Sequence, residues 1–96
     1  MDLNLNGKHA LVCGGSEGIG RATAHELALL GADVTVLARR PAALQEVVAA
    51  LPRHGVQQHD WVAADVAQTT ELRAQIEALV AGNPVHILVN NTGGPP

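Results

Sequence analysis

Two hydrophobic patterns alternate along this chain: short unbroken apolar runs, and longer stretches in which apolar residues recur every third or fourth position. His9-Ala10-Leu11-Val12-Cys13 is a run of the first kind and predicts a strand buried on both faces. A glycine-rich turn follows. From Ile19 to Leu30 the spacing of Ile19, Thr23, Leu27 and Leu30 predicts one face of a helix, with Gly31 as its stop. Asp33 to Leu37 reads as a second strand, rich in β-branched residues. Pro41 suits the first turn of a second helix, whose stripe is Leu44, Val47, Val48 and Leu51 and which Pro52 and Gly55 close. Trp61 to Ala64, extending back towards Gln58, predicts a third strand. Thr69 or Thr70 suits the N-cap of a third helix with Leu72, Ile76, Leu79 and Val80 on its apolar face. Gly82-Asn83-Pro84 breaks that helix, and Val85 to Val89 is a fourth strand. Strands joined by helices of this length pair in parallel through right-handed crossovers, which makes the chain an α/β protein and the first half of a doubly wound sheet.

Composition narrows the picture. With 96 residues, 47% hydrophobic and 16% charged, the chain is globular, and residues 1–96 amount to at most one small domain, here expected to be the N-terminal part of one. One Trp and no Phe or Tyr leave an aliphatic core. A net charge of −3 gives no reason to expect nucleic acid or an acidic membrane surface as a partner. No stretch approaches the roughly 18 apolar residues of a membrane span, and the first ten residues lack a signal-peptide pattern. Cys13 is the sole cysteine, so no intramolecular disulfide forms, and a reducing, cytoplasmic setting is expected. Histidines 9, 25, 54, 59 and 86 have no metal-ligand spacing.

The richest chemistry lies in Cys13-Gly14-Gly15-Ser16-Glu17-Gly18-Ile19-Gly20. Glycines after a buried strand let the backbone bend sharply and approach a ligand closely. The following helix presents unpaired N–H groups and a positive dipole end, which suits a pyrophosphate, and Ser16 adds a hydroxyl. The competing reading is a glycine-rich turn with no ligand, which its place between the first strand and first helix disfavours.

This turn, with Asp65-Val66 after the third strand and Asn90-Asn91-Thr92-Gly93 after the fourth, resembles the N-terminal half of the classical short-chain dehydrogenase/reductase family, and is similar to its 3-oxoacyl-acyl-carrier-protein reductase group. The family carries Thr-Gly-x-x-x-Gly-Ile-Gly at the turn, so Cys13 stands in place of Thr; it reads as a small, inert buried residue. The resemblance implies a Rossmann-type half-fold of four parallel strands in the order 3-2-1-4, with helices on both faces. It implies a nicotinamide dinucleotide as cofactor, with Gly14, Ser16, Glu17, Gly18, Ile19 and Gly20 around the pyrophosphate. Asp65 would accept from the adenine amino group with Val66 near the ring. Asn91, Thr92 and Gly93 would run beneath the adenosine ribose, with Asn90 tying strand ends together.

Cofactor choice is read at the end of the second strand, where an acid holds a ribose 2′-OH and cations receive a 2′-phosphate. Here Ala38 takes the usual acidic position, followed by Arg39 and Arg40, two of the six basic residues. NADP(H) is therefore favoured over NAD(H), against the alternative of a solvated arginine pair. Glu17 counts against it, because relatives that use NADP often place a cation there.

By the same resemblance, hydride transfer in this family needs a downstream Ser, a Tyr-x-x-x-Lys and an Asn on an intervening helix. This chain has no Tyr; its only Lys is Lys8 and its only Ser is Ser16. No catalytic residue is assigned, and the C-terminal catalytic half is expected to be absent. The expected function is an NADP(H)-dependent short-chain oxidoreductase, acting between a carbonyl and an alcohol, represented by its cofactor-binding half. The rival is a non-catalytic nucleotide-binding or self-associating half-module, associating through the exposed fourth strand or pairing with a missing half. A fold that binds S-adenosylmethionine is disfavoured because Ala38 is not an acid.

Overall fold

The computed structural model describes residues 4–14, 18–53, 55–64 and 69–90, the side chains of Thr69 and Glu71 excepted. In chain order the elements are β1 (His9–Cys13), α1 (Gly18–Leu29), β2 (Asp33–Ala38), α2 (Pro41–Ala50), β3 (Asp60–Ala63), α3 (Thr69–Gly82) and β4 (Ile87–Asn90). The four strands form one parallel sheet in the order β3-β2-β1-β4, as the alternating pattern and the resemblance imply.

β1 and β2 are central and carry the core. Alternate residues of a strand face opposite sides, and here the two sides hold two separate apolar clusters. Ala10, Val12, Val34 and Val36 pack with Ala24 and Ala28 of α1 and with Leu44, Val47 and Leu51 in and just after α2. Leu11, Cys13 and Leu37 face the other way, where Leu72, Ile76 and Leu79 of α3 lie over them. Burial of a side chain such as Leu44, which is fully enclosed, contributes about 1.5–3 kcal/mol.

α1 corrects the expected helix face. Its buried residues are Gly20, Ala24 and Ala28, while Thr23 and Leu27 are half-buried and Ile19 is 75% exposed. The stripe is offset because the sheet takes the small residues, which let helix and strands approach closely, in preference to the larger ones. In α2, Leu44, Val47 and Leu51 are buried as expected and Val48 is half-buried. Val80 of α3 is exposed, outside the face formed by Leu72, Ile76 and Leu79. α3 already includes Thr69 and Thr70, so neither stands before its first turn as a cap; residues 65–68 lie outside the described residues. β4 begins two residues later than expected, since Val85 packs under α3 before the ladder starts. β3 is offset to Asp60–Ala63.

α1 ends in a Schellman motif. Ala32 N–H donates to Leu27 O (3.1 Å) and Gly31 N–H to Ala28 O (3.0 Å). Gly31 has φ +104°, and a Cβ there would collide with the Asn6 side chain. Among the described residues, no helix is long and apolar enough to cross a membrane.

Candidate dinucleotide site

The parallel register brings the strand ends to one edge. Cys13 lies opposite Leu37 on one side and Asn90 on the other, and Ala38 lies opposite Ala63. Gly14 and Arg39 therefore emerge along that edge, with Asn90 ending β4 beside them. Gly14 N–H donates to Leu37 O (2.7 Å), which anchors the start of the turn on β2. Ala64 N–H donates to Ala38 O (2.8 Å), extending the β2–β3 ladder by one residue. β1 and β4 form the switch point of the sheet: the chain leaves β1 towards α1 on one face and reaches β4 from α3 on the other. In such sheets the crevice at the carboxyl ends of these strands takes the ligand.

Gly14 and Gly18 adopt φ +80° and +59°. An L-residue resists both conformations, and nothing stands where a Cβ of Gly18 would lie. Glycine is needed here for backbone conformation, leaving open space beside the first turn of α1. No acidic side chain lies in that first turn, so the positive end of the helix is not neutralised from within. Ile19 projects into the open beside it. α2 repeats the arrangement next door. Its N-cap is Arg40, which supplies no side-chain cap, Pro41 occupies the first position, and no acid lies in its first turn. Arg39 and Arg40 are both exposed. Two helix N-termini and two guanidinium groups thus share one edge of the sheet, an arrangement suited to a ligand with several negative charges.

Cys13 lies directly before Gly14 and is 8% exposed; burial pushes its thiol pKa up, so it is poorly disposed to act as a nucleophile. Among the described residues the one ion pair is Arg73 with Glu77, at 3.4 Å on the solvent face of α3, and no group of three His, Cys, Asp or Glu gathers to hold a metal ion. Of the expected site residues the structure brings Gly14, Gly18, Ile19, Gly20, Arg39 and Arg40 to this edge. Ser16, Glu17, Asp65, Val66, Asn91, Thr92 and Gly93 lie outside the described residues.

The opposite edge holds polar residues that no local pattern singled out. His9, 2% exposed, has Nδ1 near Asn83 O (3.1 Å) and Pro84 O (3.3 Å) and Nε2 at 2.7 Å from Thr35 Oγ1. Both carbonyls only accept, so Nδ1 is the donor to them, and the Thr35 hydroxyl, which can donate or accept, meets Nε2. His9 N–H donates to His86 Nδ1 (3.0 Å), and Val34 N–H to His59 Nδ1 (3.0 Å). Gln57 donates to two backbone carbonyls near the end of α1. Their one signal in the sequence is a polar residue inside or beside an apolar run, as with His9.

Residues 8–96 match the family described as short chain dehydrogenase. The chain belongs to that family. Among similar short-chain dehydrogenases, a tropinone reductase homolog of Arabidopsis thaliana is 43% identical over 92 residues, covering 94% of this chain and 28% of its own length. The L-rhamnose 1-dehydrogenase (NADP(+)) of Thermoplasma acidophilum is 38% identical over 93 residues, covering 95% of this chain and 36% of its own. The crystal structure of L-sorbose reductase from Gluconobacter frateurii, complexed with NADPH and L-sorbose, superposes with a TM-score of 0.86 at 34% identity, covering all of this chain and 37% of that one. The chain thus spans about a third of the length of these relatives. Its fold is that of the short-chain dehydrogenases.

Proposed function

We propose that this chain is the cofactor-binding part of an NADP(H)-dependent short-chain oxidoreductase, one that interconverts a carbonyl and an alcohol. The observation that carries the choice of cofactor is the pairing of Arg39 and Arg40 with the N-terminus of α2, which lacks both a side-chain cap and a first-turn acid. A 2′-phosphate at the end of β2 would meet two cations and a positive helix end together. A 2′-OH would find no acid, since Ala38 occupies the end of that strand. The NADPH held by L-sorbose reductase and the NADP(+) in the name of the L-rhamnose enzyme agree with this reading.

When bound, the nicotinamide ring gives or takes the hydride. This chain's own residues bind and orient. Gly14, Ser16, Gly18, Ile19 and Gly20 would hold the pyrophosphate at the start of α1, with Glu17 in the same turn near the cofactor, and Arg39 and Arg40 would take the 2′-phosphate. Asp65 and Val66 receive the adenine, while Asn91, Thr92 and Gly93 support its ribose. A tyrosine–lysine proton relay cannot come from these 96 residues, which contain no Tyr and a single Lys at position 8. The proton step therefore belongs to another part of the enzyme. The outer edge of β4, the last strand in the order β3-β2-β1-β4, is the place where that part, or a second copy, would join the sheet. The single buried thiol suits a reducing, cytoplasmic setting.

Calorimetric titration with NADPH and with NADH tests the reading. Tighter binding of NADPH is the expected outcome, equal binding would overturn the assignment to NADP(H), and binding of neither would leave the self-associating half-module as the better account.

A further inference from the structure

Gln57 lies in the segment between α2 and β3 and is 8% exposed. Its side-chain nitrogen sits 2.9 Å from Ala28 O and 2.6 Å from Ala32 O. Both partners only accept, so the nitrogen, not the oxygen, of the amide must face them, and its two N–H bonds are directed one to each carbonyl. Ala28 belongs to the last turn of α1, and Ala32 leads into β2. One side chain thus joins the end of the first helix, the approach to the second strand and the segment that precedes the third.

The face that α1 lays on the sheet makes this junction consequential. Its buried residues are Gly20, Ala24 and Ala28, so small residues make the centre of the contact and the one large side chain set against the same cluster from α1 is the half-buried Leu27. Such a face allows close approach and leaves few large side chains to fix the helix along its axis. Ties at its end add to that packing: the Schellman bonds at Gly31, the bond from Leu5 N–H to Leu30 O (2.7 Å), and Gln57. A helix is stiff, so a displacement at its last turn reappears at its first, where Gly18 to Gly20 begin the anion-binding end.

We infer that Gln57 is a positioning residue for the pyrophosphate: by holding Ala28 O and Ala32 O it sets the axial position of α1, and with it the height of Gly18–Gly20 beside the strand ends. The inference rests on the dinucleotide-binding reading given above.

Gln57→Met retains length and volume but has no N–H to donate. Titrating the wild-type chain and this variant with ADP, which carries the pyrophosphate, and with 2′-AMP, which lacks it, separates positioning from general loosening. The expected result is a loss of about tenfold in ADP affinity, the scale on which sub-ångström misplacement acts, with 2′-AMP affinity unchanged. Equal loss for both ligands would mean a merely structural role and overturn the inference, as would no loss for either. If the wild-type chain binds neither ligand, the dinucleotide reading falls and the inference with it. Should Gln57→Met fail to fold, Gln57→His keeps one N–H at similar reach, and a smaller loss confined to ADP is expected from it.

Discussion

At the scale of single residues, the two sides of the glycine turn carry different chemistry. Arg39 is exposed and unneutralised by the described residues around it, so its worth depends on a ligand. Arg39→Ala should weaken NADPH binding by roughly 1–3 kcal/mol, the range for a lost charge-assisted contact, and leave NADH binding nearly unchanged; parallel titrations would check both. Cys13 acts the other way, through the protein alone. Burial raises its pKa above the ordinary thiol value of 9.0, so the folded state keeps the proton over a range in which the unfolded chain has lost it. Protons bound preferentially by the folded form mean that stability falls as pH rises past the unfolded thiol's pKa. The contribution is fully present at neutral pH and fades in the alkaline range. Urea unfolding of wild type and Cys13→Ala at pH 7, 9 and about 10.5 should show a steeper alkaline decline in the wild type.

At the scale of elements, what was legible in the sequence is what depends on near neighbours in the chain. The apolar run of β1, the prolines and glycines that punctuate α2 and α3, and the stop at Gly31 all act over a few residues, and each element formed where the pattern placed it within a few positions. The glycine turn and the arginine pair were legible for the same reason. The buried face of α1 was not, because apolar size favoured Ile19, Thr23 and Leu27 while the sheet selected Gly20, Ala24 and Ala28 for closeness. The roles of His9, His59 and Gln57 were hidden for a different reason. His9 and Thr35 stand 26 positions apart, and Gln57 and Ala28 stand 29 apart, so no local spacing announces them. Gly31 is the element-level residue to test. With φ +104° and the Asn6 side chain where a Cβ would be, Gly31→Ala should cost on the order of 1–3 kcal/mol, seen as a lower urea midpoint.

At the scale of the whole molecule, burial is uneven across the sheet. β1 is buried at every position, whereas β4 alternates between half-buried and exposed residues. Leu88 points to the α3 side, yet α3 does not cover it. An uncovered apolar residue on an edge strand invites another strand or another molecule. The chain should therefore associate as its concentration rises, and Leu88→Lys should suppress this without lowering the urea midpoint. Sedimentation velocity over a concentration series distinguishes the two, and a wild-type chain that stays monomeric throughout would count against association at this edge.

The two ends of the sheet are also built with different materials. One end is laced by His9, Thr35, His59, His86, Gln57 and the carbonyls they reach, linking segments far apart in sequence. At the other end stand Arg39 and Arg40, both exposed, and Gly14 and Gly18, whose positive φ values favour glycine. On the proposed reading, the residues that would choose the ligand are separate from those that lace the strands together. Exchanging Ala38 and Arg39 to recognise a different ribose would leave every one of those long-range bonds in place. A scaffold divided in this way can be given a new preference at one end without being redesigned at the other.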